Sequence, residues 1–332
     1  MVVVGLDIGY SNLKLAAGCC GRAPRERMLP AVAAPAAHVA QRLSDRPSPG
    51  ADELGDGIRL SLHGQPWIAG IAPARVSGWQ RALHEDYAAS ESYQALLLAA
   101  LQLVDVPRID RLVTGLPVAQ ASDSAARERL RQRLQGRHRV NERWVEIAEV
   151  RVVAQPVGAF VDLLMQADAA LIERVGAGTV IVIDVGFFSV DWSVLVNGDL
   201  RRTQSGTSLE AMSVLIDAAA ARLAAAQGGK APVAAIEQAL AAQRSRILFH
   251  GEWLELAPVL QHAAREVAQR ALEALRQDLR HEQTNPDLLL LTGGGAALFA
   301  PVVRRVFPRV PLHPATEPVG ANARGYFHYG CR

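Results

Sequence analysis

Apolar positions along the chain follow two rhythms. Continuous apolar runs at Val2–Ile8, Thr179–Asp184 and Asp287–Leu291 suit strands buried on both faces. Leu13–Ala17 and Val190–Val196 return as second strands close behind the first two. Ile58–Leu62 alternates, His63-Gly64-Gln65-Pro66 turns and Trp67–Ile71 returns, which predicts a hairpin. Arg111–Leu116 and Val145–Val153 read as further strands, and Asn197-Gly198 is a hairpin turn signal. Helical spacing marks Ser92–Val104, where Leu96, Leu97, Ala100 and Leu101 recur. It also marks residues 122–135, Pro156–Gln166, Leu209–Gln227, Pro258–Arg280 and the segment from Gly295 through Phe307. Residues 22–57 read as irregular with a short helix at 35–43, and 218–235 as a loop or helix junction. Strands and then helices, twice over in 332 residues, predict two α/β halves with predominantly parallel buried sheets and hairpins.

Two stretches are nearly the same text. Residues 5–18 read GLDIGYSNLKLAAG and 182–198 read VIDVGFFSVDWSVLVNG. With Asp7 on Asp184 no gap is needed: Gly9 falls on Gly186, Asn12 on Ser189 and Lys14 on Asp191. This is an internal repeat of a strand–turn–strand unit with an aspartate at the first strand's end. A tight turn gathers backbone N–H groups into a concavity that attracts phosphate oxygens. Ser11, Asn12 and Ser189 add donors and Lys14 a point charge. Asp7 and Asp184 bring carboxylates toward the same phosphates, where Mg²⁺ and its waters mediate between like charges. Two such turns facing each other would clamp a triphosphate from both sides.

The charge balance changes this picture little. A formal net charge of +2 indicates neither a nucleic acid nor an anionic membrane. Lys14 and Lys230 are the only lysines, so Lys14 stands out. Cys19 and Cys20 are adjacent and unsuited to bridging each other, Cys331 makes an odd count, and a reducing cytosol fits best. No signal peptide and no membrane-length apolar run are expected, and the histidines lack metal-ligand spacing. Gly228-Gly229-Lys230-Ala231 fails as a P-loop, because no Ser or Thr follows the lysine and no buried strand precedes it. Gly293-x-Gly295-x-x-Leu298 lacks the last glycine of a dinucleotide fingerprint. Arg127–Arg139 has Leu130 and Leu134 on one stripe and reads as a solvated surface helix rather than a DNA contact. Arg265–Arg280 and Trp192 read as core. Asp191 is open between a catalytic or metal-side carboxylate and a turn cap.

The paired turns resemble the two phosphate motifs of the actin-like ATPase superfamily, and other text agrees in order. Gln155-Pro156-Val157-Gly158-Ala159 is similar to the first connecting motif, Leu290–Ala296 to the adenosine motif, and Glu317–Tyr326 to the second connecting motif. Val113–Val118, Ala321–Gly325 and the hairpin Gly64–Gly70 are similar to the ParM/StbA plasmid-segregation branch and its archaeal relatives. The resemblance implies a two-lobed actin-like (ribonuclease H-like) α/β fold, with duplicated mixed sheets, each with a five-stranded core, flanking helices and a nucleotide cleft between the lobes. Lobe I would be 1–153 plus 320–332 with an insertion about 30–88, and lobe II 154–319 with an insertion about 206–283.

The resemblance further implies a cytoplasmic ATPase that binds ATP or GTP with Mg²⁺ and polymerises into dynamic filaments for plasmid DNA segregation. Its partners would be its own copies and an adaptor bound to plasmid DNA, with no direct DNA or membrane contact. Asp7 and Asp184 would sit near Mg²⁺ through water. Gly9, Ser11, Asn12 and Lys14 would line the first phosphate turn, Gly186 and Ser189 the second. Gln155 would orient the attacking water beside Asp7 and Asp184, and Gly293, Gly294 and Gly295 would approach the adenosine side. The second turn departs from the family pattern, since Phe187-Phe188 stand where relatives have small residues. They either narrow the phosphate site or point into the lobe. A small-molecule kinase of the same superfamily and a non-polymerising nucleotide-sensing module are the alternatives.

Overall fold

Two mixed sheets carry the architecture, each built around one copy of the repeated hairpin. The computed structural model describes residues 1–40, 57–78 and 85–332. Its strands are β1 Val2–Ile8, β2 Asn12–Cys19, β3 Arg25–Pro30, β4 Ala33–Pro35, β5 Ile58–Leu62, β6 Gln65–Ala69, β7 Arg108–Leu116, β8 Gly136–Val140, β9 Arg143–Ala154, β10 Thr179–Val185, β11 Val190–Val196, β12 Asp199–Ser208, β13 Arg246–Phe249, β14 Glu252–Glu255, β15 Leu288–Thr292 and β16 Leu312–Pro314. Its helices are α1 Glu91–Val104, α2 Val118–Ser122, α3 Ser124–Leu134, α4 Gln155–Gln166, α5 Ala169–Ala177, α6 Met212–Gln227, α7 Val233–Ala241, α8 Ala257–His281, α9 Ala296–Val306 and α10 Ala321–Gly330.

The first sheet has the order β3-β2-β1-β7-β9-β8 and the second β12-β11-β10-β15-β16. In each, the apolar first strand of the repeat lies inside the sheet, antiparallel to its hairpin partner on one side and parallel to the strand on the other. The expectation of predominantly parallel sheets is therefore corrected. The repeat is itself a hairpin, so it forces antiparallel neighbours wherever it occurs. The first sheet also exceeds the expected five strands, because a turn at Asn141 (φ 54°) folds β8 onto the edge of β9. Residues 22–57 are not uniformly irregular either. β3 pairs with β2, and β4 joins β5 and β6 in a small three-stranded sheet. In place of the short helix at 35–43 there is one 3₁₀ turn at Ala36–His38, and residues 41–43 lie outside the described residues.

Helices cover the sheets with the faces their spacing assigned. α8 buries Val267, Ala271, Leu275 and Leu279 against the second sheet, and α3 buries only Leu130 and Leu134, its arginines facing outward or bonding locally. Trp192 is core. Among the described residues no helix is long and apolar enough to cross a membrane.

α10 is the element that joins the two halves. Ala323 and Phe327 pack on Val3 and Ala16 of the first sheet, while Asn322 and Arg324 bond to groups of the other half. The Arg324 guanidinium is buried and grips both oxygens of Asp162 on α4 at 2.8–3.2 Å. Just past the helix, Cys331 is disulfide-bonded to Cys20 at the end of β2. The cysteine count argued for reduced thiols, and the fold corrects that for two of the three by bringing together residues 311 apart in sequence. A closed loop of that length restricts the unfolded chain, and such bonds contribute about 2–5 kcal/mol. Reductant is expected to lower the melting temperature, and Cys331→Ser to lower it equally while making the melt insensitive to reductant. A Cys331→Ser protein that melts like wild type would show that the bond contributes nothing.

Candidate functional site

The two copies of the repeat fold alike. In the first hairpin Asp7 pairs across the strands with Lys14, and the Gly9 N–H donates to the Asn12 carbonyl at 3.1 Å. In the second, Asp184 pairs with Asp191 and the Gly186 N–H donates to the Ser189 carbonyl at 2.9 Å. A Cβ at Gly186 would stand 2.8 Å from that carbonyl, so the turn requires glycine.

The hairpins meet at their aspartates. Lys14 Nζ donates to Asp7 Oδ2 at 2.9 Å, with Asp7 buried. Burial alone would lower the ammonium's pKa. The charge and hydrogen bond of Asp7, with Asp184 behind, outweigh that and hold it above its ordinary value. Asp184 comes from the other half and is also buried. Burial pushes its carboxyl up to about 6, the charges of Asp7 and Asp191 adding to the rise and the Asn322 hydrogen bond and Lys14 opposing it. Asp7 and Asp184 thus face one ammonium in a buried space, with the Asp191 carboxylate beside Asp184.

Asp191 is the residue whose role the sequence left open. It is buried and accepts three hydrogen bonds, from Ser189 Oγ at 2.6 Å, Thr207 Oγ1 at 2.6 Å and the Val118 N–H at 2.8 Å. Val118 belongs to the first half, and the Ala119 N–H likewise donates to Thr207 Oγ1 at 3.2 Å. Asp191 is therefore both an interior charge of the site and a tie between the halves. Burial raises its pKa against those three donors.

Asn322 of α10 lies within the segment similar to the second connecting motif, and the sequence alone assigns it no role. Its Nδ2 donates to Asp184 Oδ2 at 2.6 Å and its Oδ1 accepts from the Ala159 N–H of α4 at 3.1 Å. It orients Asp184 and ties both connecting segments to it. Gln155 stands at the first turn of α4, its carbonyl accepting from Tyr326 Oη at 3.3 Å. Its Cγ is among the atoms nearest to a Cβ built on Gly115, at the end of β7. Ser11 and Asn12 sit at the first turn, where the Ser11 carbonyl accepts from the Ala31 N–H at 2.8 Å.

The three glycines after β15 differ in their reasons. Gly293 has φ 88° and no room for a side chain, since a Cβ would lie 2.4 Å from Asp184 Oδ1. Gly295 packs on Val185 and Met212. Only Gly294 faces open space, with nothing within 4 Å of an added Cβ.

Phe187 and Phe188 part company. Phe187 packs against the core of the second half. Phe188 instead reaches Tyr10 at the tip of the first hairpin, ring centroids 4.6 Å apart, and Tyr10 stacks on Tyr87 at 4.8 Å. An aromatic ladder thus closes the gap between the two hairpin tips.

Residues 5–158 match the family of actin-like protein N-terminal domains, and residues 182–304 match the C-terminal domain of MreB-like archaeal actin homologues. The chain is an actin-like protein. Solved structures agree on the fold. Ta0583, an archaeal actin homolog, superposes with a TM-score of 0.76 at 23% identity over 99% of both chains. A non-polymerisable quadruple mutant of pCBH ParM gives 0.76 at 18% identity over 99% and 98% of the two chains. The subunit of a 15-stranded ParM filament from Clostridium botulinum gives 0.74 at 17% identity over the same shares. No curated protein sequence matches. In this actin-like protein the matched N-terminal domain contains the first hairpin and Gln155, and the matched C-terminal domain the second hairpin and the glycines after β15.

Proposed function

We propose that this actin-like protein binds Mg-ATP between its two hairpins, hydrolyses it and assembles head to tail into filaments. The halves would be a lobe of 1–153 plus 320–332, with an insertion about 30–88, and a lobe of 154–319, with an insertion about 206–283. The carrying observation is the matched pair of hairpins that converge Asp7, Lys14 and Asp184 in one buried space. Two related structures support an adenine nucleotide: Ta0583 was solved in complex with ADP, and a Bacillus thuringiensis ParM with AMPPNP. Self-association draws support from the ParM and Alp12 filament structures that share the fold. By the same likeness, we place its use in plasmid DNA segregation, through an adaptor on the DNA.

The residues fit the cofactor. Three carboxylates against one ammonium leave the site short of positive charge; burial is the main cause of the upward shift of Asp184, and the charges of Asp7 and Asp191 add to it. Among the described residues no cluster of His, Cys, Asp and Glu is suited to hold a metal ion directly. Mg²⁺ would therefore reach Asp7 and Asp184 through water and the phosphates, where it neutralises their charge. Lys14 and the turns at Gly9, Ser11, Asn12, Gly186 and Ser189 would line the phosphate site, with the N–H groups of Gly9 and Gly186 engaged within their own hairpins. Gln155 would orient the attacking water, and Gly294 would admit the adenosine side. Phosphoryl transfer needs mainly such positioning and charge neutralisation. Opening and reclosure of the two halves on binding would part and re-form the Phe188–Tyr10 contact.

The test is light scattering and phosphate release, measured together after Mg-ATP is added. Scattering should rise and then decay as phosphate appears. Gln155→Ala should assemble but persist, with phosphate release at least about 100-fold slower. Phosphate release without scattering at high protein concentration would end the filament reading in favour of a kinase. Nucleotide binding with neither signal would leave a nucleotide-sensing module.

A further inference from the structure

The two halves have separate apolar cores, and one ring crosses between them. Tyr10, in the turn between β1 and β2, belongs with the first core. It packs against that core and stacks on Tyr87, with the ring planes 26° apart. Tyr87 lies in a 3₁₀ turn at Glu85–Ala89 and meets Tyr93 of α1 edge-on, ring centroids 5.6 Å apart. Tyr87 and Tyr93 are buried, so Tyr10 is backed by two fixed rings.

The two phenylalanines in the turn between β10 and β11 divide. Phe187 packs on the second core, and its carbonyl accepts from the Ser213 N–H at 2.8 Å, which fixes the turn against α6. Phe188 lays its ring on Tyr10 instead, the planes 38° apart. The second half thus contributes the last ring of a stack built in the first. An aromatic pair shifts an equilibrium by about twofold to tenfold beyond the burial of its area. Placed between the two turns, that preference acts on the separation of the halves.

We propose that Phe188 is a latch on this separation: its contact with Tyr10 holds the halves together and limits how fast nucleotide enters and leaves. The control of nucleotide rests on the binding mode proposed above; the latch between the halves does not.

Val118 offers a probe of opening that needs no nucleotide. Its N–H is buried and donates across the halves to Asp191 at 2.8 Å, so it exchanges with solvent when the halves part. Hydrogen exchange of the full chain, resolved to this amide by fragmentation mass spectrometry, should be at least about threefold faster in Phe188→Ala and in Tyr10→Ala. The double variant should be no faster than either, because both changes remove one contact. Phe188→Tyr should restore the wild-type rate. The amides of β10, inside the second sheet, should exchange alike in every variant. In stopped flow with Mg²⁺ and N-methylanthraniloyl-ATP, Phe188→Ala should raise the association and dissociation rates together by at least about threefold, with the dissociation constant held within about twofold.

Wild-type exchange at Val118 in Phe188→Ala would overturn the latch, as would equally accelerated exchange throughout β10. Acceleration of dissociation alone would make Phe188 a contact of the ligand and overturn the latch in that way. Faster exchange at Val118 with unchanged nucleotide rates would overturn its control of entry and exit. A wild-type chain that binds no labelled nucleotide would end the nucleotide reading and that control with it, while exchange at Val118 would still decide the latch.

Discussion

Alanine at Gly325 is expected to lower the melting temperature by more than about 6 °C, or to prevent soluble expression altogether. A Cβ on Gly325 would lie 1.7 Å from the Gly158 carbonyl oxygen and 2.4 Å from its carbon. These are backbone atoms of α4, so no side-chain rotation relieves the overlap. Nor can α10 retreat. On its other side, a Cβ on Gly5 of β1 would stand 2.1 Å from the Ala323 carbonyl and 2.6 Å from the Phe327 nitrogen, which shows how closely strand and helix already approach. The Arg324–Asp162 and Asn322–Ala159 bonds hold the helix in register between the two. Overpacking usually costs about 1–3 kcal/mol where side chains can shift. Here two backbones must separate, so the loss should reach or exceed the top of that range. Gly176→Ala is the control: it sits near the end of α5 with nothing within 4 Å of an added Cβ, and should be neutral or slightly stabilising. Thermal melts by circular dichroism decide it. A Gly325→Ala protein melting within a degree of wild type would mean that the α4–α10 crossing is not the rigid joint described here.

How much of this was legible in the sequence follows from the range of the interactions. The two hairpins were readable because each is local, an apolar strand, an aspartate, a glycine turn and a return strand, and because the second copy removed the ambiguity of the first. The helices with long apolar stripes, α1, α4 and α8, were readable for the same reason. β3 was not, since as an exposed edge strand with charged residues it has no apolar alternation to announce it. β13 and β14 were too short to stand out from the surrounding helices. What most escaped were contacts between distant segments. Asp191 with Val118, Phe188 with Tyr10, and Cys20 with Cys331 join residues that no local pattern relates. One of these carried an unused signal. Aligning the repeats puts Asp191 at the position of Lys14, and Lys14 is the cross-strand partner of the first aspartate. The same geometry had to set Asp191 opposite Asp184, adding a third carboxylate to the cluster.

The burial of Asp184, with that crowding added to it, gives the second large effect. Asp184→Asn is expected to stabilise the nucleotide-free protein at pH 8 and to abolish stabilisation by Mg-ATP. The carboxyl ionises near 3.8 when exposed and near 6 in the folded chain. The native state therefore holds this proton more tightly than the unfolded state. The stability this contributes is fully present below pH 4 and is lost as pH rises through 6. At pH 8 the folded protein carries an ionised Asp184 at a cost of roughly 3 kcal/mol, which asparagine does not incur. Asparagine also keeps an oxygen for Asn322 Nδ2, whose bond to Asp184 is 2.6 Å. In EDTA, the melting-temperature gain of the variant over wild type should be near zero at pH 4 and should grow through pH 6 to a plateau. With Mg-ATP at pH 8 the order should invert, wild type rising with ligand concentration as mass action requires and the variant staying flat. A variant less stable than wild type at pH 8 without ligand would show that Asp184 is held for structure. The expected inversion would show the reverse: the chain keeps a destabilising charge at the point where its two halves meet, and that charge becomes favourable only when a cation and phosphates complete the site.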